Sequence, residues 1–262
     1  MNRIEKVLKK DEKLLIPYIT PEFPFPGVTL RLLEALAESG ADMIEVGIPF
    51  SDPIADGVTI QNSSLVALKN GITLKKIFDL ISLFRRNYDI PIILMGYANS
   101  IISRGLEKFI FGAVNSGVDG LIVPDLPVDE AENLIDLSKS YGLSNIFLVA
   151  PNSSEERIKL ISEKSTHFIY CISITGVTGE RENFGDGEFV NFMNKVRKFS
   201  TKPFVVGFGI SKREHVLKVW DWAMGAVVGS ALIKKLSIAS DVSMCIKIAS
   251  EFISELKYGS FR

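Results

Sequence analysis

Residues 44–57 read IEVGIPFSDPIADG, an apolar run that carries one carboxylate, Glu45, into a loop rich in proline and glycine. Charged side chains are almost never fully buried unless they are paired or used in function. Because side chains alternate between the two faces of a strand, Glu45 shares a face with Gly47, while the opposite face is uniformly apolar. The loop adds Asp52 and Asp56. The pattern predicts a strand that presents Glu45 either to a ligand or to a buried Lys or Arg in a structural ion pair.

Short apolar runs alternate with amphipathic patterns along the whole chain. Alternating β and α units indicate a parallel sheet. Eight units in 262 residues favour an α/β protein with one domain at 1–262, a (β/α)8 TIM barrel, with an open doubly wound sheet as the alternative. The strand-like runs, each followed by a helical pattern, are 15–19, 42–48, 91–95, 119–123, 145–149, 167–172, 203–207 and 225–228.

Charge and apolar content narrow the class of protein. The 30 basic and 31 acidic residues give a net charge of −1 without long single-sign runs, which argues against nucleic acid or an anionic membrane as the main partner. The N-terminal residues 1–13 lack the apolar segment of a signal peptide, and no apolar run approaches the ~20 residues of a membrane span. We therefore expect a cytoplasmic protein that does not interact with membranes.

Cysteines and histidines are too few and too scattered to predict a disulfide framework or a metal site. The two cysteines, Cys171 and Cys245, suit a reducing compartment. The two histidines, His167 and His215, lie far apart, and we place His215 on a helix surface. We assign neither histidine a catalytic role, and we expect no metal site.

Two glycine-rich loops follow the seventh and eighth predicted strands, GFGIS at 207–211 and GSA at 229–231. Active sites of TIM barrels lie at the C-terminal ends of the strands, and the loops after strands 7 and 8 frequently bind phosphate. Glycine lets backbone N–H groups approach the anion. Either loop alone could be a plain connection, but together they predict a phosphate-ester site. The long glycine-rich loop at 173–187 predicts a lid over the barrel mouth, or otherwise a surface excursion.

The chain carries further short motifs, namely PYIT at 17–20, QN at 61–62, MGYAN at 95–99, PDLP at 124–127, GVTG at 176–179, GFGI at 207–210 and GSAL at 229–232. Together with the segment 44–57, these motifs resemble the tryptophan synthase α subunit family over nearly the whole chain, from about Pro17 to Lys235. The family cleaves indole-3-glycerol phosphate to indole and glyceraldehyde 3-phosphate in a retro-aldol reaction without a cofactor, and the resemblance implies the same lyase activity here. It also implies a partner, a pyridoxal-phosphate β subunit in an α2β2 complex, facing 53–60, 99–103 and 125–129.

The resemblance implies catalytic roles for Glu45 and Asp56. Glu45 would protonate C3 of the indole and take the proton of the hydroxyl beside the cleaved bond, while Asp56 would receive the indole N–H. Burial at an apolar strand end predicts a raised pKa for Glu45, and a loop position predicts an ionised Asp56. The other implied residues are supporting Tyr170 and Thr178 and phosphate-binding Gly179, Gly209, Gly229 and Ser230. We place Phe23, Leu94, Ile122 and Phe208 against the indole, with ordinary barrel core as the alternative.

Two segments depart from the family pattern. Ile174 and Thr175 stand where the family often has Arg and a small residue before GVTG, which bears on lid closure and on coupling to a partner. Thr20-Pro21-Glu22-Phe23-Pro24 replaces a Thr-Ala-Gly-Asp-Pro type of segment, which bears on the loop near the indole pocket.

Three other functions are compatible with a phosphate-binding barrel. A sugar-phosphate aldolase or isomerase is disfavoured, because no predicted strand carries an interior lysine for Schiff-base chemistry. A barrel that has lost activity and only activates a partner is disfavoured by the intact Glu45 and Asp56. A stand-alone indole-releasing lyase of the same family would differ only in needing no partner.

Overall fold

Strands and helices alternate along the chain as the sequence predicts. The structure, a computed structural model, describes residues 2–103, 105–172, 187–207 and 209–260. Its strands all pair in parallel, in the order β5-β4-β3-β2-β1-β9-β8-β7-β6. They are β1 (Leu14–Ile19), β2 (Ile44–Gly47), β3 (Ile92–Met95), β4 (Gly120–Ile122), β5 (Ser144–Asn145), β6 (Leu148–Val149), β7 (Ile169–Ile172), β8 (Phe204–Gly207) and β9 (Gly225–Val228).

The sheet closes on itself because β5 and β6 are the two ends of one short segment, 144–149. On one side Ile146 N donates to Leu121 O at 3.0 Å, and on the other Tyr170 N donates to Phe147 O at 3.1 Å. The sequence predicts a single strand at 145–149, and the structure divides it because each half pairs with a different neighbour. Counting the two halves as one strand gives the predicted eight-stranded barrel in a single domain.

Helices follow the strands and cover the barrel from outside. Side-chain caps and left-handed glycines fix several of their ends: Asp241 accepts from Met244 N at 2.9 Å, and Gly259 ends the same helix with φ +85°. The helices are α1 (Arg3–Leu8), α2 (Thr29–Glu38), α3 (Val58–Lys69), α4 (Leu74–Phe84), α5 (Ala98–Ile102), α6 (Leu106–Ser116), α7 (Glu132–Ser140) after a 3-10 turn (Val128–Glu130), α8 (Glu155–Lys164), α9 (Gly187–Phe199), α10 (Arg213–Trp220), α11 (Ser230–Leu236) and α12 (Val242–Tyr258).

Two apolar clusters divide the core. The outer cluster lies between the strands and the helices. The inner cluster fills the barrel and includes Ile4 of α1, which touches Gly120 at the start of β4. Helix α1 therefore covers the N-terminal end of the barrel, and the C-terminal end is left for a site. The inner cluster consists of Ile4, Leu14, Ile16, Met43, Ile93, Ile122, Ile146, Phe168, Tyr170, Val205 and Val227.

The structure corrects the predicted position of one of the two histidines. His215 on α10 is buried, so its predicted place on a helix surface is wrong. The α10 face that carries His215 also carries Val216 and Val219 and packs inward. Over the residues that the structure describes, no helix combines the length and apolar character needed to cross a membrane.

Candidate active site

Glu45 lies on β2, inside the barrel, with only 2% of its surface exposed. Its strand neighbours in register are Tyr18 of β1 and Ile93 of β3. The described residues provide neither an ion pair nor a hydrogen bond to its carboxyl group, so the structural ion pair that the sequence left open finds no support among them. Desolvation, together with the charge of Asp56, raises the pKa of Glu45 to about 8. The group is therefore largely protonated at neutral pH and can act as an acid.

Asp56 is held at the end of the loop that leads from β2 into α3. The Tyr97 hydroxyl donates to Asp56 Oδ2 at 3.1 Å, and Gln61 Nε2 donates to the Asp56 carbonyl oxygen at 2.8 Å. Desolvation raises the pKa of Asp56 to about 6, although the hydrogen bond from Tyr97 acts in the opposite direction. Asp56 is thus ionised at neutral pH, but with a smaller margin than its loop position predicts, because its own side chain is partly buried although most of the loop is exposed.

Tyr97 fixes this loop and is a residue that sequence reasoning quoted but gave no role. Its hydroxyl accepts a hydrogen bond from Ala55 N at 3.0 Å while it donates to Asp56. Its ring stacks on Phe50, with 5.3 Å between centroids. Asp125 sets the start of the following helix, since Asp125 Oδ1 accepts from Ala98 N at 2.8 Å. The MGYAN motif therefore holds Asp56 from the neighbouring strand end.

Two tyrosines lie against glycines of the adjacent strands at the same end of the barrel. A Cβ on Gly47 would overlap the Tyr18 hydroxyl, and a Cβ on Gly207 would overlap the Tyr170 hydroxyl. Burial raises the pKa of both phenols, and negative charge on Glu45 and Asp56 raises it further. Both tyrosines are therefore neutral. The two neutral phenols help to exclude water from Glu45, and this desolvation is the larger cause of its raised pKa, with the charge of Asp56 as the second. Tyr170 lies on β7 in the inner cluster, and its supporting role stays a prediction, whereas Tyr18 is a neighbour of Glu45 to which the sequence analysis gives no role.

The predicted indole contacts divide between the two sides of the sheet. Ile122 belongs to the inner cluster, on the side of Glu45. Leu94 belongs to the outer cluster and faces the helices, so its predicted contact with indole is wrong. Met95, the next residue, pairs in register with Gly47 and packs against the inner cluster. Phe23 is buried in the loop after β1, and its contact stays a prediction; Phe208 lies outside the described residues.

The predicted phosphate loops lie at the ends of adjacent strands, β8 and β9. Gly209 has φ +35°, and Gly229 precedes the first residue of α11, Ser230. A Cβ on Gly229 would lie 3.6 Å from Tyr18 Cβ. Because Tyr18 is also in register with Glu45, the loop after β9 adjoins the carboxylate region. Thr178 and Gly179 lie outside the described residues, and the phosphate assignments stay predictions.

The chain matches a model of the tryptophan synthase alpha chain over residues 4–259. The chain belongs to the tryptophan synthase alpha chain family. A relative of that name from Chlorobaculum parvum is 44% identical over 264 residues, which cover 98% of this chain and 99% of the relative. The fold agrees with solved structures: an alpha subunit from Legionella pneumophila superimposes with a TM-score of 0.91 at 34% identity, covering 98% of this chain and 97% of the other.

A second solved structure is a tryptophan synthase α2β2 complex from Pyrococcus furiosus, with a TM-score of 0.87 at 40% identity. It covers 94% of this chain and 98% of the other. The matches run nearly end to end. As a member of the tryptophan synthase alpha chain family, this chain is a lyase with a TIM-barrel fold.

Proposed function

We propose that this chain cleaves indole-3-glycerol phosphate to indole and glyceraldehyde 3-phosphate, with Glu45 and Asp56 as its catalytic residues. The observation that carries the assignment of residues is a buried Glu45, without an ion pair or hydrogen bond among the described residues, beside a second carboxylate that remains ionised. Two carboxyl groups whose pKa values differ can divide the work of an acid and an anionic acceptor between them.

In the proposed reaction, protonated Glu45 gives its proton to C3 of the indole ring. The ring becomes a cation whose charge is shared with the ring N–H, and ionised Asp56 stabilises it by accepting that hydrogen bond. Glu45, now a carboxylate, takes the proton of the side-chain hydroxyl as the bond from C3 to the carbinol carbon breaks. The electrons of that bond return to the ring and restore indole, and the hydroxyl carbon becomes the aldehyde. Glu45 ends the cycle protonated, so no cofactor is required.

The pKa values predict a bell-shaped dependence of kcat on pH. Activity requires ionised Asp56, so kcat rises as the pH passes about 6, and it requires protonated Glu45, so kcat falls as the pH passes about 8. The two limbs belong to the coupled pair rather than to either group alone. Steady-state rates between pH 5 and pH 9, under saturating substrate, measure both limbs. A profile that stays flat to pH 9 would contradict a protonated Glu45 as the acid.

We assign the substrate phosphate to the backbone around Gly209, Gly229 and Ser230, together with Gly179. Replacing Ser230, the first residue of α11, by Asp adds a negative charge to this position. We expect Ser230→Asp to raise KM by about tenfold or more, because the new carboxylate and the substrate phosphate then repel each other in one site. Ser230→Ala is the control and should change KM by only about a few-fold, because it removes at most one hydrogen bond from the serine hydroxyl. An unchanged KM in Ser230→Asp would move the phosphate to another loop.

We propose a tryptophan synthase β subunit as the partner, and the cytoplasm as the place where the two meet. An apolar patch supports this proposal, because Ile54 is 85% exposed, Val58 70% and Ile102 53%. All three lie within the segments 53–60 and 99–103 that face the partner by resemblance, next to the loop that holds Asp56. Exposed apolar side chains grouped beside an active site are typical of a protein interface.

Ile54→Asp should raise the dissociation constant of the complex by about tenfold or more, because the variant would bury a charge in that interface. The dissociation constant measured by isothermal titration with a purified β subunit gives the result directly. Ile238→Asp is the matched control, since Ile238 is also highly exposed but lies between α11 and α12. Equal affinity of the two variants would exclude this patch as the docking surface.

The function itself is tested by indole release from indole-3-glycerol phosphate, with and without a β subunit. We expect slow release by the chain alone and a large increase with the partner. Fast release without the partner would instead favour a stand-alone lyase. No release in either condition would contradict the proposed substrate.

A further inference from the structure

The loop after β1 is built around one buried carboxylate, Glu22. Its side chain is 0% exposed, and its backbone is in the left-handed region with φ +61°. A non-glycine residue rarely adopts this conformation, and it persists only where the surroundings hold it.

The carboxylate of Glu22 makes three contacts that hold the loop in place. Oε2 accepts from Gly27 N at 2.6 Å and from Lys76 Nζ at 2.9 Å, while Oε1 accepts from Thr29 Oγ1 at 2.8 Å. Thr29 Oγ1 in turn accepts from Glu22 N at 2.7 Å. These partners hold the pKa of Glu22 below its usual value against the effect of burial, so the group is ionised at neutral pH. One side chain thus ties the loop to the first turns of α2 and α4.

Helix α3 is tied to the same loop at two further points. Asn70 Nδ2, at the end of α3, donates to the Glu22 carbonyl oxygen at 2.8 Å. Thr20 and Ser63 share a buried hydrogen bond of 2.7 Å between their hydroxyls. The other end of α3 begins at Val58, two residues after Asp56, whose carbonyl oxygen accepts a hydrogen bond from Gln61. The loop after β1 and the helix that follows Asp56 therefore form one connected unit.

This loop lies beside the proposed substrate pocket. It begins after β1, the strand that carries Tyr18 next to Glu45, and it contains buried Phe23. We propose that Glu22, through its ion pair with Lys76, is a positioning residue that sets the wall of the indole pocket in this chain. The proposal rests on the proposed function, since it concerns the same pocket. Glu22 does not touch the reacting atoms; it acts through the loop.

Glu22→Gln and Lys76→Met test the proposal in the complete chain with its β subunit. Each removes the charge pair, and we expect each to raise KM for indole-3-glycerol phosphate by about tenfold with kcat changed by about twofold or less, because a displaced wall weakens ground state and transition state alike. The double variant should be no worse than either single variant, because both remove the same interaction. Lys75→Met is the matched control, an exposed neighbour on the same helix turn, and should behave as wild type.

A merely structural role would give a different result. In that case the melting temperature would fall while KM and kcat of the folded enzyme stayed at wild-type values, and the proposal would be wrong. Lys76 is partly exposed, so Lys76→Met separates the two roles even where Glu22→Gln folds poorly. Wild-type enzyme that releases no indole would contradict the proposed function instead, so the two failures are distinguishable.

Discussion

Glu45→Gln is expected to abolish indole formation from indole-3-glycerol phosphate, with kcat reduced by about 10³-fold or more. One general acid or base step is typically worth about 10²–10⁴ in rate, and the proposed mechanism routes two proton transfers through this carboxyl group. Glutamine keeps the size and neutrality of protonated Glu45 but has no acidic proton to give. Because the wild-type group is itself largely neutral, the variant should fold normally, and KM should change little.

The measurement is the single-turnover rate of the variant together with its β subunit, since this isolates cleavage from product release. Asp52→Asn is the matched control, because Asp52 is an exposed carboxylate of the same loop region and accepts a hydrogen bond from Ser51. The control should keep wild-type activity. Residual turnover of Glu45→Gln within about tenfold of wild type would remove Glu45 from the acid role.

Asp56→Asn is expected to lower kcat by about 10²-fold or more. The amide has nearly the same shape and can still pair with Tyr97, but it lacks the negative charge that stabilises the cationic ring. We expect the acid limb of the pH profile to disappear as well, since that limb reports the ionisation of Asp56. An acid limb that persists near pH 6 in the variant would assign it to another group.

Tyr97→Phe is the companion variant, because it removes a hydrogen bond that lowers the pKa of Asp56. The acid limb should then move to higher pH while the maximal rate falls only a few-fold, roughly the effect of one hydrogen bond. An unmoved acid limb would mean that Tyr97 does not set the ionisation of Asp56. The two variants together separate the charge of Asp56 from its placement.

The sequence predicts the barrel well because the fold repeats one pattern. Each apolar run at a strand position leads into an amphipathic run, and the register of the hydrophobic pattern determines which residues face the helices. The short helices α1 and α5 escape prediction, since six and five residues give too little periodicity to recognise. The division of 144–149 into β5 and β6 depends on pairing with distant strands and cannot be read from local sequence.

The site is predicted in part, and the errors have physical reasons. Glu45 is conspicuous because a carboxylate stands within an apolar strand. The predicted indole contact of Leu94 is wrong because neighbouring residues of a strand point to opposite faces, so that Met95 and not Leu94 points inward. Tyr18 is missed because its role depends on the neighbouring strand, where Gly47 leaves space for the ring. The raised pKa of Asp56 depends on the partial burial of its own side chain, which the loop sequence does not reveal.

The proposed mechanism requires Glu45 to be protonated at neutral pH in the folded protein. The most direct test is the pH titration of its side-chain carboxyl by ¹³C NMR, using chain labelled at glutamate and the Glu45→Gln variant to assign the signal. We expect a carboxyl signal that titrates near pH 8 and is absent from the variant. A Glu45 signal that titrates below about pH 5, as an ordinary glutamate does, would contradict the proposed role of Glu45 as the acid.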